Sequence, residues 1–337
     1  MSSFPTSFDN LLDLARLPYF EVRDGELCVA DSQFEPAVDV HTHLALSYFT
    51  GKVDLAALHP RTEHYLDEAR PIDLDVYINK NFTPDDLKAL EHDLVFMSFG
   101  GDGMRRTHTM PNLRREMQRM GVRQSVLLPI DFPYLSHNSE SWLDVTRGQS
   151  DFICFGSVHA MQPGMERRLD ALVGMGARGV KIHPAVQLVP PDHARTRKLV
   201  AACAARSLPV LFHCGPVAIE NRLSRRFSQV YRYEQVIAEN PTAQIVLGHS
   251  GALQMEEALA LAKKYPNAWL ETSSQALGNV RQIVAEAPPD RVMLGSDWPF
   301  YHQATALAKV LIATEGNDAV RRAILSGNAD RLFRRGA

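Results

Sequence analysis

The sequence predicts an α/β chain built on a closed parallel barrel of eight strands. Three observations carry that prediction. Apolar runs with the length of buried parallel strands recur from position 38 onward. Stretches that read as helices separate most of them, as βα units require. Five runs end in a group able to bind a metal or move a proton: Val38-Asp39-Val40-His41-Thr42-His43, Gly179-Val180-Lys181-Ile182-His183, Pro209-Val210-Leu211-Phe212-His213, Ile245-Val246-Leu247-Gly248-His249 and Val292-Met293-Leu294-Gly295-Ser296-Asp297. Groups so far apart in the chain meet only if the strands lie side by side with their C-terminal ends together. That is the face on which such barrels carry their sites.

The strands are expected at 37–41, 125–130, 152–158, 179–182, 209–213, 244–248, 268–272 and 291–294. Helices are expected at 164–175, 193–206, 234–239, 253–265 and 278–287. Pro209, Pro266, Pro288 and Pro289 punctuate them. Residues 1–36 read as an N-terminal flank, with a helix at 8–16 and an extended stretch at 27–30, and the barrel takes 37–337. The long connection 44–124 contains a helix start at Thr83-Pro84-Asp85-Asp86, a glycine-rich run (Ser98-Phe99-Gly100-Gly101-Asp102-Gly103) and a helix at 111–120. Following the first strand, it belongs over the C-terminal face and reads as a partly helical cap shaping the pocket.

Composition excludes several classes. With 45% hydrophobic and 22% charged residues, the 337-residue chain has ample material for a core. A net charge of -3 lacks the basic excess of a nucleic-acid binder. Arg222, Arg225 and Arg226 read as a short solvated cluster. No apolar run approaches the ~20 residues of a membrane span. Met1-Ser2-Ser3-Phe4-Pro5 lacks the basic and apolar regions of a leader. Cys28, Cys154, Cys203 and Cys214 form no CxxC pair and suit a reducing, cytoplasmic setting. The expected partner is a small-molecule substrate.

His41 and His43 lie two residues apart at a strand end, so both imidazoles point to one side and reach one ion. His213 and His249 close two further strands. Asp297 follows an apolar run, where a carboxylate is costly unless it is paired, hydrogen-bonded or on a metal. The competing reading of Ser296 or Asp297 is a helix N-cap. Histidine and carboxylate ligands with an open position suit a catalytic Zn²⁺, or Mn²⁺. Such an ion brings the pKa of its water from 15.7 towards ~7. The resulting hydroxide would attack a carbonyl, with Asp297 shuttling the proton and His249 orienting water or substrate. Lys181 admits three readings: a surface or supporting lysine, a carboxylated ligand bridging two ions, or a hydrogen-bond donor to substrate. His183 reads equally as a substrate contact or a structural residue. Trp298 and Phe300 are candidates for an apolar wall. Arg61, Arg70, Arg105 and Arg106 are candidates for pairing with an acidic substrate, although most of them read as solvated.

Together these motifs, with the late Gly327-Asn328-Ala329-Asp330-Arg331-Leu332-Phe333, resemble the amidohydrolase superfamily, in particular the branch called amidohydrolase family 2. They span 38–333 in the family's order. The resemblance implies a distorted (β/α)8 TIM barrel with a partly helical cap inserted after strand 1. It implies His41, His43, His213 and Asp297 as ligands of a single divalent ion, with His249 near the catalytic water. In a two-ion arrangement Lys181, His213 and His249 would serve the second ion. Barrels of this branch often pair, which leaves a homodimer open. The leading expectation is a metal-dependent hydrolase of an amide, lactone or ester-like bond. The alternatives are a nonoxidative decarboxylase of a small carboxylic acid and a non-catalytic binding protein on the same barrel.

Overall fold

A computed structural model describes residues 4–30, 34–49, 51–100, 102–217 and 219–334. Residues 1–3, on which the leader reading rests, and Gly101 of the glycine-rich run lie outside the described residues. Eight parallel strands form the frame. They are β1 (Ala37–Thr42), β2 (Val122–Leu127), β3 (Phe152–Cys154, resuming at Gly156–Ser157), β4 (Val180–Ile182), β5 (Val210–His213), β6 (Ile245–Gly248), β7 (Ala268–Glu271) and β8 (Val292–Met293).

Pairing runs in chain order from β1 to β3 and from the second part of β3 to β8. The two sheets meet at Phe155, whose N–H donates to Leu127 O while the next residue, Gly156, donates to Gly179 O. On the other side Val40 N donates to Leu294 O at 2.9 Å and Asp297 N to His41 O at 2.8 Å. Thr42 and Trp298 form a parallel bridge there. All eight predicted strands are present, displaced by at most a few residues. The largest shift is in β2, which starts earlier because Gly121 O already accepts from Ala37 N.

Alternation along the strands separates two apolar clusters. Val38, Val40, Leu211, Val246, Trp269 and Met293 pack together inside, closed below by Ala329, Leu332 and Phe333. The intervening positions, such as Val180, Ile182, Val210 and Phe212, join the larger cluster under the helices. Inward parity then puts Lys181 on β4, His213 on β5 and Glu271 on β7 towards the barrel axis. In β1 strict alternation would send His41 outward with Asp39. The register of β1 against β2 slips between Asp39 and Thr42, and this irregularity turns His41 inward.

The N-terminal flank differs from expectation. Residues Ser7–Phe8 pair antiparallel with Ile72–Asp73, and the turn that follows is a 3₁₀ helix, Leu11–Arg16. Leu11, Leu14 and Leu17 are all buried, and a three-residue repeat suits 3.0 residues per turn. The Asn10 side chain caps it by accepting from Asp13 N. Glu26–Val29 pairs with Phe20–Arg23 as a hairpin through Asp24 and Gly25, both at positive φ.

Between β1 and β2 the chain carries helices Pro84–Val95 and Met110–Arg119. Thr83 and Asp86 form a reciprocal capping box at the start of the first. The second brings Glu116 to the segment after β8. Its carboxylate accepts from Trp298 Nε1 at 2.9 Å and Gln303 N at 2.7 Å, and lies 2.9 Å from His64 Nε2. Trp298 is fully buried in this contact. No helix among the described residues is long and apolar enough to cross a membrane.

Burial opposes charge on both partners of the Glu116–His64 pair, yet the pair overcomes it. Neighbouring His302 and His64 carry Glu116 down to about 2, and Glu116 with Glu68 carries His64 up to about 10. The Glu116 contribution is present above its ordinary pKa of 4.5 and lost as pH falls through about 2. The His64 contribution is present below 6.5 and lost as pH rises through about 10. Glu116→Gln is therefore expected to destabilise the fold by roughly 3 kcal/mol. The loss should be largest between pH 4.5 and 6.5 and should shrink towards both extremes, as read by thermal melts across pH.

Candidate active site

The strand ends converge on one cleft of about 790 Å³. His41, His43, Lys181, His183, His213, His249 and Asp297 all line it. The tightest group is His41, His249 and Asp297, each offering a ligand atom within 4.8 Å of the other two. Asp297 Oδ1 lies 3.2 Å from His43 Nε2 and 3.6 Å from His41 Nε2. His213 joins through its Nδ1, 3.1 Å from His249 Nε2. His249 thus lies in the same tight group as His41 and Asp297.

Three of the imidazoles are oriented by their far sides. His43 Nδ1 faces Leu128 O at 2.8 Å, so that nitrogen carries the proton and Nε2 keeps its lone pair. His41 Nδ1 donates to Glu271 Oε1 at 2.9 Å, which frees Nε2 in the same way. Ser273 Oγ donates to Glu271 Oε1 at 2.8 Å and so accepts from His249 Nδ1 at 2.7 Å. Glu271 also accepts from the backbone N–H groups of His249 and Ser273.

Glu271 is the functional residue that the sequence reading missed. It is completely buried. The signal was available: a carboxylate closing the apolar run Ala268-Trp269-Leu270 obeys the rule that singled out Asp297. Gly295 makes room for it, since a Cβ there would lie 2.1 Å from Glu271 Oε2 and 3.0 Å from His41 Cβ.

The electrostatics fit a cation. Burial first, then the charge of Lys181, lowers His41 and His213, the latter to about 3. Burial and then His213 lower His249. Neutral imidazoles with lone pairs converging beside a carboxylate are what a divalent ion requires of its ligands. Lys181 is buried at the floor, its Nζ 3.2 Å from His41 Nε2. The surface reading of this lysine is therefore wrong. Burial lowers its pKa, against the pull of Asp297 and Glu271.

The loop after β6 is held in an uncommon backbone conformation. His249, Ser250 and Ala252 all have positive φ, as do Ser274 and Asp297. His183 lines the cleft, its ring stacked on His213 at 3.9 Å, and its Nδ1 caps the short helix Pro184–Gln187 by accepting from Val186 N. Two further expectations are corrected. Trp298 does not line the cleft, because its indole is drawn to Glu116; Phe300 lines it as expected, joined by Tyr301. None of the four candidate arginines lines it either. Arg70 pairs with Asp67 and Asp86, Arg106 faces Glu63, Arg61 borders a separate cavity, and Arg105 is buried elsewhere.

No curated protein matches the sequence. Among solved structures, an uncharacterised TIM-barrel protein from Bordetella bronchiseptica is similar with a TM-score of 0.64 at 17% identity, over 89% of this chain and 99% of that one. A probable 2-pyrone-4,6-dicarboxylic acid hydrolase from Acinetobacter baumannii gives 0.53 at 14% identity, over 89% and 99%. The 5-carboxyvanillate decarboxylase of Sphingomonas paucimobilis gives 0.56 at 16% identity, over 88% and 98%. The family model described as Amidohydrolase matches residues 38–335, nearly the whole chain, and the protein therefore belongs to the amidohydrolase family of metal-dependent enzymes.

Proposed function

We propose that the chain hydrolyses a small molecule at an amide, lactone or ester-like carbonyl, using one Zn²⁺ held by His41, His43 and Asp297 together with the His213–His249 pair. The observation that carries this reading is the convergence of His41, His249 and Asp297 at the floor of a cleft that admits a small molecule. A bound divalent ion supplies Lewis acidity and makes water acidic enough to react at neutral pH. The protein's own groups do the rest. Asp297 accepts the proton of the attacking water and passes it to the leaving group. Lys181 donates a hydrogen bond to the substrate carbonyl as negative charge develops on it. Burial, and then the charge of Asp297, keeps the Tyr77 and Tyr301 phenols protonated, so the wall beside Asp297 carries donors rather than anions. Glu271 holds the His41 ring directly and the His249 ring through the Ser273 hydroxyl. Helix Pro84–Val95, part of the segment we read as a cap, excludes water from above.

The reading is tested on lactones, esters, amides and aromatic acids with metal-loaded protein. Water addition supports it; CO₂ release without net water addition moves the assignment to decarboxylation, the reaction named for several structural neighbours. Asp297→Asn is expected to lower kcat by about 10³-fold with the thermal melt preserved. Wild-type turnover in that variant removes Asp297 from the chemistry. Glu271→Gln is expected to weaken zinc binding by about 10–100-fold in a chelator competition, because the imidazoles lose their anchor.

A further inference from the structure

We propose that the substrate carries an apolar, uncharged body beyond its reacting bond. The inference deepens the reading above and rests on it only for the nature of that bond. The candidate metal-binding groups gather at the cleft's floor, and much of the wall above them is apolar. Leu87, Leu90 and Leu94 of helix Pro84–Val95 follow a three- and four-residue spacing, and this single face lines the cleft. Tyr301 and Phe300 pack against the same leucines and fix that face in position. Val186 and Leu188 after β4, with Val217 and Ile219 after β5, also line it. At the mouth Val95, Leu188 and Ile219 remain 41%, 52% and 38% exposed. Apolar side chains grouped around an opening are the usual mark of a surface that an apolar ligand covers.

The charges agree with this. Lysines are the only Lys or Arg residues among the described lining, at Lys181 and Lys88. Lys181 lies at the floor, against His41, where the reacting group binds. Lys88 is at the rim and pairs with Asp85 at 3.1 Å. The other rim charges are the carboxylates of Glu91 and Glu220, the latter paired with Arg225 at 3.1 Å. A second carboxylate on the substrate would lose its water against leucine and valine, where the described lining offers it only the already paired Lys88. An alkyl or unsubstituted ring body would gain from the same burial.

The test uses zinc-loaded protein and a homologous set of linear hydroxamic acids, from acetohydroxamate to octanohydroxamate, each beside its ω-carboxylate analogue. Calorimetry should show Kd falling about fourfold per added methylene until the cleft is filled. The ω-carboxylate should bind at least tenfold more weakly than the neutral acid of equal length. Val95→Asp and Ile219→Asp, at exposed rim positions, should flatten the length dependence. Affinity independent of length, tighter binding of the carboxylates, or no binding by any member overturns the inference. Turnover separates it from the hydrolase reading. Length-dependent binding with no hydrolysis of the matching esters, lactones or amides removes the reaction and keeps the substrate class. Hydrolysis with flat length dependence does the reverse.

Discussion

One buried carboxylate organises the floor of this protein. Glu271 receives the imidazole N–H of His41, the hydroxyl of Ser273 and the backbone N–H groups of His249 and Ser273. Those donors come from the end of β1, the turn after β6 and the turn after β7. Three parts of the barrel are thereby brought to a common point. Burying a carboxylate without such partners is prohibitive, so the site either assembles with all its donors or not at all. Burial raises the pKa of Glu271 to about 7, and the His249 N–H with the N–H and hydroxyl of Ser273 pull against that rise. The metal-facing nitrogens of His41 and His249 are thus fixed by hydrogen bonds made on the side away from the cleft.

That arrangement explains the backbone around it. For His249 to turn its ring inward while its N–H reaches Glu271, the chain leaves β6 through a left-handed turn at His249 and Ser250. Such conformations cost about 1–3 kcal/mol each and persist where the surroundings hold them. Here Ser250 Oγ donates to Glu271 O and Gln275 Nε2 donates to His249 O, so neighbouring side chains hold the turn.

Much of this was legible in the sequence because strand burial and strand ends leave strong local marks. The eight apolar runs gave the frame, and His41, His43, His213, His249 and Asp297 stood where those runs stop. What stayed hidden depends on partners distant in the chain. Glu271 read as one position within the strand expected at 268–272, and only the contacts with Gly295 and His41 reveal its role. Trp298 looked like a wall beside Asp297, and only Glu116, 182 positions away, draws it into the core. The 3₁₀ turn at Leu11–Arg16 shows a third limit: an apolar repeat of three and one of three-to-four are hard to tell apart over two turns.

The Trp298 contact also shows that the 44–124 segment does more than overlie the cleft. Asp297 sits at positive φ between two anchors. On one side its own N–H donates to His41 O; on the other, His43 N donates to Trp298 O at 2.7 Å. Trp298 is held in turn by Glu116 on helix Met110–Arg119, and the same carboxylate receives Gln303 N at the start of helix Gln303–Ala313. The residue assigned to proton transfer is therefore positioned from below by β1 and from behind by the inserted segment. Glu116 can do this because His64 and His302 keep it ionised, which makes it a strong acceptor for both donors. A chain that lost helix Met110–Arg119 would lose the support of the Asp297 turn, so that helix and the floor of the cleft form one mechanical unit.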